Sequence, residues 1–165
     1  MAAIHAVTSR AFADRTEPAP QPGPVPVEAT LVDQLRADAG WIPELSLVAD
    51  DGGVIGHVVC TRATVAGRPA LGLGPLSVDP PHQGRGVGSA LMHAVLGAAD
   101  ALGEPLVVLL GNPRYYRRFA FVQADRLGIE PPVPAWGPYF QARPLTAYDP
   151  SLQGPFRYAE PFEGL

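Results

Sequence analysis

The segment Gln83-Gly84-Arg85-Gly86-Val87-Gly88-Ser89 has the residue types and spacing to do chemistry in this chain of 165 residues. A glycine-rich turn that runs into a helix leaves backbone N–H groups without partners at the positive end of the helix dipole, which makes it an anion site. Glycines let the main chain approach a phosphate where a side chain would collide, and Arg85 adds a permanent charge to the same loop. The chemistry so defined is the holding of a phosphate-bearing ligand, without its identity.

Three bottom-up readings of the loop stand side by side. A Walker-type phosphate loop needs a lysine after its last glycine, and every one of the 12 basic residues here is arginine, so that reading is excluded. A dinucleotide fingerprint wants glycine or alanine where Ser89 stands, with an acid about 20 residues further on, and fits poorly. A plain turn joining strand to helix stays open.

A resemblance adds a fourth. Leu76-Ser77-Val78-Asp79-Pro80, followed by Gln83 to Leu91, resembles the acetyl-coenzyme A signature of the GNAT superfamily of N-acetyltransferases, Gln/Arg-x-x-Gly-x-Gly/Ala, matched by Gln83, Gly86 and Gly88. Gly111-Asn112-Pro113-Arg114-Tyr115-Tyr116-Arg117-Arg118-Phe119-Ala120-Phe121 looks like that family's later motif, with Ala120 where glycine is usual. The likeness is to the small bacterial members and covers nearly the whole chain.

The resemblance implies a GNAT fold: an α/β domain over residues 1–165, a mixed central sheet with a splayed pair of parallel strands, and helices on both faces. It implies acetyl-coenzyme A as cosubstrate, held by Gln83, Gly84, Arg85, Gly86, Val87, Gly88 and Ser89 at the pyrophosphate. The backbone of Leu76, Ser77 and Val78 would meet the pantetheine arm, with Asn112 and Tyr115 beside it. Tyr116 falls at the position of the general acid, with Tyr115 as its rival, and a phenol of pKa about 10 can protonate a thiolate leaving group. The strand Leu71 to Val78 carries no carboxylate or histidine, so Glu44, acting through water, is the candidate base and His82 the alternative. The implied reaction is direct acetyl transfer to a primary amine of a small molecule or peptide. The reading from another class is a coenzyme A-binding sensor or interaction module without catalysis.

The elements that must position these residues follow from pattern. Ile4, Val7 and Ala11 with Phe12 give Met1 to Ala13 a helical stripe, and Leu31, Val32 and Leu35 do so for Glu28 to Ala39. Between them, Thr16 to Val27 is proline-rich and reads as an extended connection. Glu44–Ala49, Val54–Val65 and Leu71–Val78 read as antiparallel strands joined by Asp50-Asp51-Gly52-Gly53 and Ala66-Gly67-Arg68. Glycines inside the third mark a bulge. The stripe Val87, Leu91, Val95, Ala98, Leu102 is the helix after the loop. Pro105 to Leu110 is a strand buried on both faces, parallel to the one before the helix. A short helix over Tyr115 to Phe119, a strand from Phe121, a proline-rich connection over Ile129 to Pro138, and weak strands at Tyr139–Leu145 and Phe156–Phe162 complete the chain. Trp136, Tyr139 and Phe140 are expected to cap the core, with covering the cleft as the alternative. Relatives place a strand ahead of the first helix and none precedes it here, which implies an unpaired sheet edge and makes a homodimer plausible.

A formal net charge of −4 argues against a nucleic-acid partner. Cys60 is the single cysteine and the 4 histidines lack ligand spacing, so neither a disulfide nor a metal site is expected. The longest strongly apolar run, Leu106 to Leu110, is too short to span a bilayer, and the amino terminus carries no secretion signal, so the expected compartment is the cytoplasm.

Overall fold

In a computed structural model, residues 1–13 and 26–164 are described. Of the proline-rich connection, residues 16–25 lie outside them, and Val27 already opens a helix. The order is α1 (Ala2–Ala13), α2 (Val27–Ala37), β1 (Trp41–Asp50), β2 (Val54–Val65), β3 (Arg68–Val78), α3 (Val87–Ala101), β4 (Leu106–Leu110), α4 (Pro113–Tyr116), β5 (Val122–Gln123), β6 (Ile129–Glu130), β7 (Phe140–Pro144) and β8 (Gly154–Arg157). The carboxyl-terminal strand stops at Arg157, short of the expected Phe162, and residues Glu160–Gly164 form a 3-10 turn instead.

The strands form one mixed sheet in the order β5-β7-β4-β3-β2, and β2's outer edge is shared: β1 pairs along Val54 to Thr61, and β8 at Thr64 and Val65. β1 and β3 flank β2 antiparallel, while β3 and β4 are parallel across the α3 crossover. The β2–β3 turn puts Ala66 and Gly67 both at positive φ, 48° and 79°, the pairing that suits a two-residue hairpin.

Alternation along the strands sorts side chains onto two faces. Val58, Cys60, Leu71, Leu73, Val107 and Leu109 meet Leu91, Met92, Val95, Leu96 and Ala99 of α3, with Phe119 and Phe121 at one end. Leu91, Met92, Val95 and Leu96 each stabilise the fold by roughly 2 kcal/mol through apolar burial, which holds α3 against the sheet. The opposite face carries Ala63, Val65, Leu106, Val108, Phe140 and Phe156, and Val59 under α2. Partly buried Trp136 packs there, 5.9 Å from buried Phe140, as the core role requires, whereas Tyr139 is 54% exposed and stands outside the core.

Candidate functional site

β3 and β4 pair at only two rungs, Leu71 with Val107 and Gly72 with Val108. Past them the strands part, β3 running on to Val78 and β4 to Leu110. β3 also carries a bulge: Val58 faces Leu76 while Cys60 faces Leu73, so β3 has one residue more than β2 in that interval. The expected splay and bulge are both present.

β3 ends where the Asp79 N–H reaches back to the Ile55 carbonyl, and a 3-10 turn over Pro80–His82 follows. Gly84 and Gly86 then take φ of 72° and 85°, the left-handed region that a residue with a Cβ enters only under strain. Gly86 is the residue immediately ahead of α3, and the first amide to find a carbonyl is that of Ala90, bonded to Gly86 O. Among the described residues, the amides of Gly84 to Ser89 donate to nothing. Gln83 Nε2 donates to Val78 O at 3.0 Å and ties the loop to the end of β3.

The loop borders a pocket walled by Leu76, Val78, His82, Gln83, Gly84, Gly86, Val87, Gly88, Ser89, Tyr115 and Arg118. Tyr115 is its far wall. Burial raises the Tyr115 phenol above its usual range, and the Arg118 charge and a hydrogen bond with the Ser89 side chain pull the other way. A Cβ on Gly88 would meet the Tyr115 hydroxyl at 2.8 Å, so glycine is needed there for space. Arg118 stacks over the Tyr115 ring at 4.7 Å and donates to the Tyr115 carbonyl.

Tyr116 points elsewhere. Its ring stands edge-on to Tyr115 and Phe121, at 4.9 and 5.9 Å between centroids, and occupies the space a Cβ on Gly111 would take. That puts it against the carboxyl end of β4, beside the split. Asn112 caps α4 by accepting from the Arg114 N–H at 2.9 Å. Ser77 is buried on the opposite face and donates to Thr8 Oγ1 at 3.0 Å, so its side chain has no part in the pocket. Arg85 is exposed and stands outside the pocket wall. Glu44 is exposed too, in the part of β1 between Trp41 and Ser46 where register with β2 is broken. His82 lies at the loop, its Nδ1 4.0 Å from Asp79 Oδ2.

Two features had no signal in the sequence because they join distant positions. Arg10 on α1 grips the Asp79 carboxylate with Nε at 2.7 Å and Nη2 at 3.1 Å, anchoring the start of the loop. Buried His57 bonds Ser46 Oγ through Nε2, and burial, with the Arg36 charge adding to it, lowers its pKa to about 4, so it is neutral at pH 7. Among the described residues no cluster of His, Cys, Asp and Glu could hold a metal, and no helix is long and apolar enough to cross a membrane.

A family model for the acetyltransferase (GNAT) domain matches residues 43–123. The chain is 36% identical over 145 residues to the N-acetyltransferase YjhQ of Escherichia coli, covering 82% of this chain and 80% of that one. Among solved structures it is similar to YhbS of Escherichia coli in complex with coenzyme A, at a TM-score of 0.77 and 34% identity over 83% of this chain and 78% of the other. A GNAT family acetyltransferase from Brucella melitensis in complex with acetyl-coenzyme A gives a TM-score of 0.76 and 34% identity over 98% and 90%.

Proposed function

This chain belongs to the GNAT family of N-acetyltransferases, and we propose on that footing that it moves the acetyl group of acetyl-coenzyme A directly to a primary amine of a small molecule or peptide. One observation carries the reading: two parallel strands part beside a loop whose amides have no other partner. The amides of Gly84 to Ser89, at the dipole-positive start of α3, hold the diphosphate, with Gln83 bracing the loop and Arg85 lending charge from its rim. The β3 backbone at Leu76, Ser77 and Val78, unpaired toward β4, meets the pantetheine amides. Tyr115, fastened to Ser89, and Asn112, fastened to α4, shape the wall.

In the transfer a C–N bond forms at the thioester carbonyl and the C–S bond breaks. Tyr116 supplies the proton that the departing thiolate takes up. The ammonium proton leaves through water toward Glu44. Tyr116 is preferred to Tyr115 because the Tyr115 hydroxyl is engaged at Ser89, away from the end of β4.

Tyr116→Phe tests the reading against a coenzyme A sensor. Thiol release from acetyl-coenzyme A in the presence of an amine panel should fall about 100-fold, the scale of one general acid, while the thermal shift given by coenzyme A is kept. Full turnover in the variant would remove Tyr116 from the chemistry. A wild type that binds coenzyme A and acetylates nothing would favour the sensor.

A further inference from the structure

The acceptor has to reach the thioester from the face opposite α3. On the α3 side, Leu73, Val107 and Leu109 are sealed under Leu91 and Val95, with Tyr115 and Tyr116 packed alongside. On the other side one residue lies across the vertex of the split. Tyr158 follows β8, and its ring lies over Gly72 of β3: a Cβ on Gly72 would be 2.7 Å from Tyr158 Cδ1 and 2.9 Å from Cε1. Gly72 is glycine for this ring, since its φ lies outside the left-handed region. It also forms the last rung with Val108 before the strands part. The Tyr158 hydroxyl, two bonds from Cε1, therefore lies close to Gly72 and beside the vertex.

That hydroxyl makes no hydrogen bond among the described residues, although Tyr158 is largely buried and its ring is held by Trp136, Phe156 and Phe162. Burial raises the phenol, so it stays protonated through neutral pH. It is not among the fully buried polar atoms that lack a partner, so it keeps some accessible surface and is open to a ligand. Beyond the vertex, Leu110 alternates onto the same face as Leu106 and Val108 and is 46% exposed despite lying at the end of an interior strand.

We propose that Tyr158 and Leu110 form the acceptor half of the site, the Tyr158 hydroxyl hydrogen-bonding the incoming amine at the vertex and Leu110 packing against an apolar skeleton attached to it. This rests on the acetyl-transfer reading and narrows it to primary amines on apolar chains. Tyr158 touches the acceptor and stays neutral, so it orients the nitrogen and does not deprotonate it.

The test uses hexylamine and 1,6-diaminohexane, equal in reach and different in the charge at the far end, with thiol release as the readout. The wild type should favour hexylamine by about ten-fold in kcat/KM, since the diamine sets its second ammonium against Leu110. Tyr158→Phe keeps the ring and should lower kcat/KM for hexylamine about ten-fold, the worth of one buried hydrogen bond, leaving the KM for acetyl-coenzyme A and its thermal shift unchanged. Leu110→Asp, at an exposed position, should reverse the preference. The inference is overturned if Tyr158→Phe acetylates hexylamine within two-fold of wild type, or if the wild type prefers the diamine. A wild type that takes neither amine overturns it as well, and the coenzyme A thermal shift in that same sample shows whether the cofactor reading falls with it.

Discussion

Gly86→Asp probes the loop with two separable effects. At a φ of 85° any side chain carries strain, about 1–2 kcal/mol for the left-handed region. With an unfolding entropy of about 2.1 cal/mol/K per residue, that lowers the Tm of a chain of this length by roughly 3–6 °C. Gly86→Ala suffers the same loss and serves as the control. The carboxylate adds repulsion: at about 5 Å from a phosphate charge and an effective dielectric of about 20, one charge pair is worth about 3 kcal/mol. Halving that for the exposure of the loop, and counting both phosphates, still gives a loss of about 100-fold in affinity. At coenzyme A equal to about 100 times the wild-type Kd, the ligand stabilises the wild type by about 2.7 kcal/mol, and the Asp variant by only about 0.4 kcal/mol. In scanning fluorimetry the ligand-induced shift should thus fall from about 8 °C to about 1 °C in Gly86→Asp and stay near its full size in Gly86→Ala. Charge decides the difference, so salt should restore part of it. A full shift in Gly86→Asp would mean that the diphosphate lies elsewhere, and the site described above would be wrong.

Gly111→Ala drives a Cβ into the Tyr116 ring; it should cost about 1–3 kcal/mol of stability through overpacking and lower kcat while the coenzyme A shift persists, and an unchanged kcat would show that the ring's placement is immaterial. The Arg10 hydrogen bond holds the Asp79 carboxyl below its usual range, so its contribution is present above the unfolded pKa near 3.9 and lost as pH falls through the lower folded value. Arg10 is half exposed, and Arg10→Gln should therefore destabilise by only about 0.5–1 kcal/mol at pH 7; in urea melts across pH the gap should close in acid, and a gap that widened there would reverse the assigned sign. Burial, with the Glu104 charge adding to it, pushes the Cys60 thiol far up, so iodoacetamide at pH 8 should label it only in denaturant, and rapid labelling of the native protein would contradict the core placement.

The parts legible in the sequence were those set by local periodicity. β2 spans Val54 to Val65 as the turn residues on either side require, and α3 begins at Val87 because Gly86 ends the loop. The carboxyl-terminal segment misled because Phe156, Tyr158 and Phe162 look like strand residues, yet past Arg157 they are held by ring contacts across the sheet and not by a ladder. In the site, the glycine loop was readable since each glycine answers to a local φ or a close approach. The separate packing of Tyr115 and Tyr116 was not, because adjacent residues on a short helix are separated only by what packs against them: Ser89 for one, Gly111 for the other. Arg10–Asp79 spans 69 positions and the Tyr158–Gly72 contact joins the carboxyl-terminal segment to β3, and no periodicity reports such pairs.

The bulge in β3 links these observations. Before it, Leu71 and Leu73 point into the α3 face; after it, Leu76 packs there and Val78 lines the pocket, so the inward set changes from odd to even numbers. The extra residue is what makes that change, since a side-chain period of two admits no other way to swap parity along one strand. Without it Ser77 would face the pocket and Leu76 and Val78 would lie under α1, where Thr8 now accepts from Ser77. The same extra residue falls just past the last β3–β4 rung. A single insertion at Gly74-Pro75 thus coincides with the opening of the strands and presents an apolar wall to the gap between them, while Gly72, the last paired position before it, leaves room for Tyr158 on the opposite side. Gly72 on β3 and Gly88 on α3 each leave room for one tyrosine, Tyr158 and Tyr115 respectively, which is why substitutions at the two should separate the proposed acceptor effects from the proposed cofactor effects.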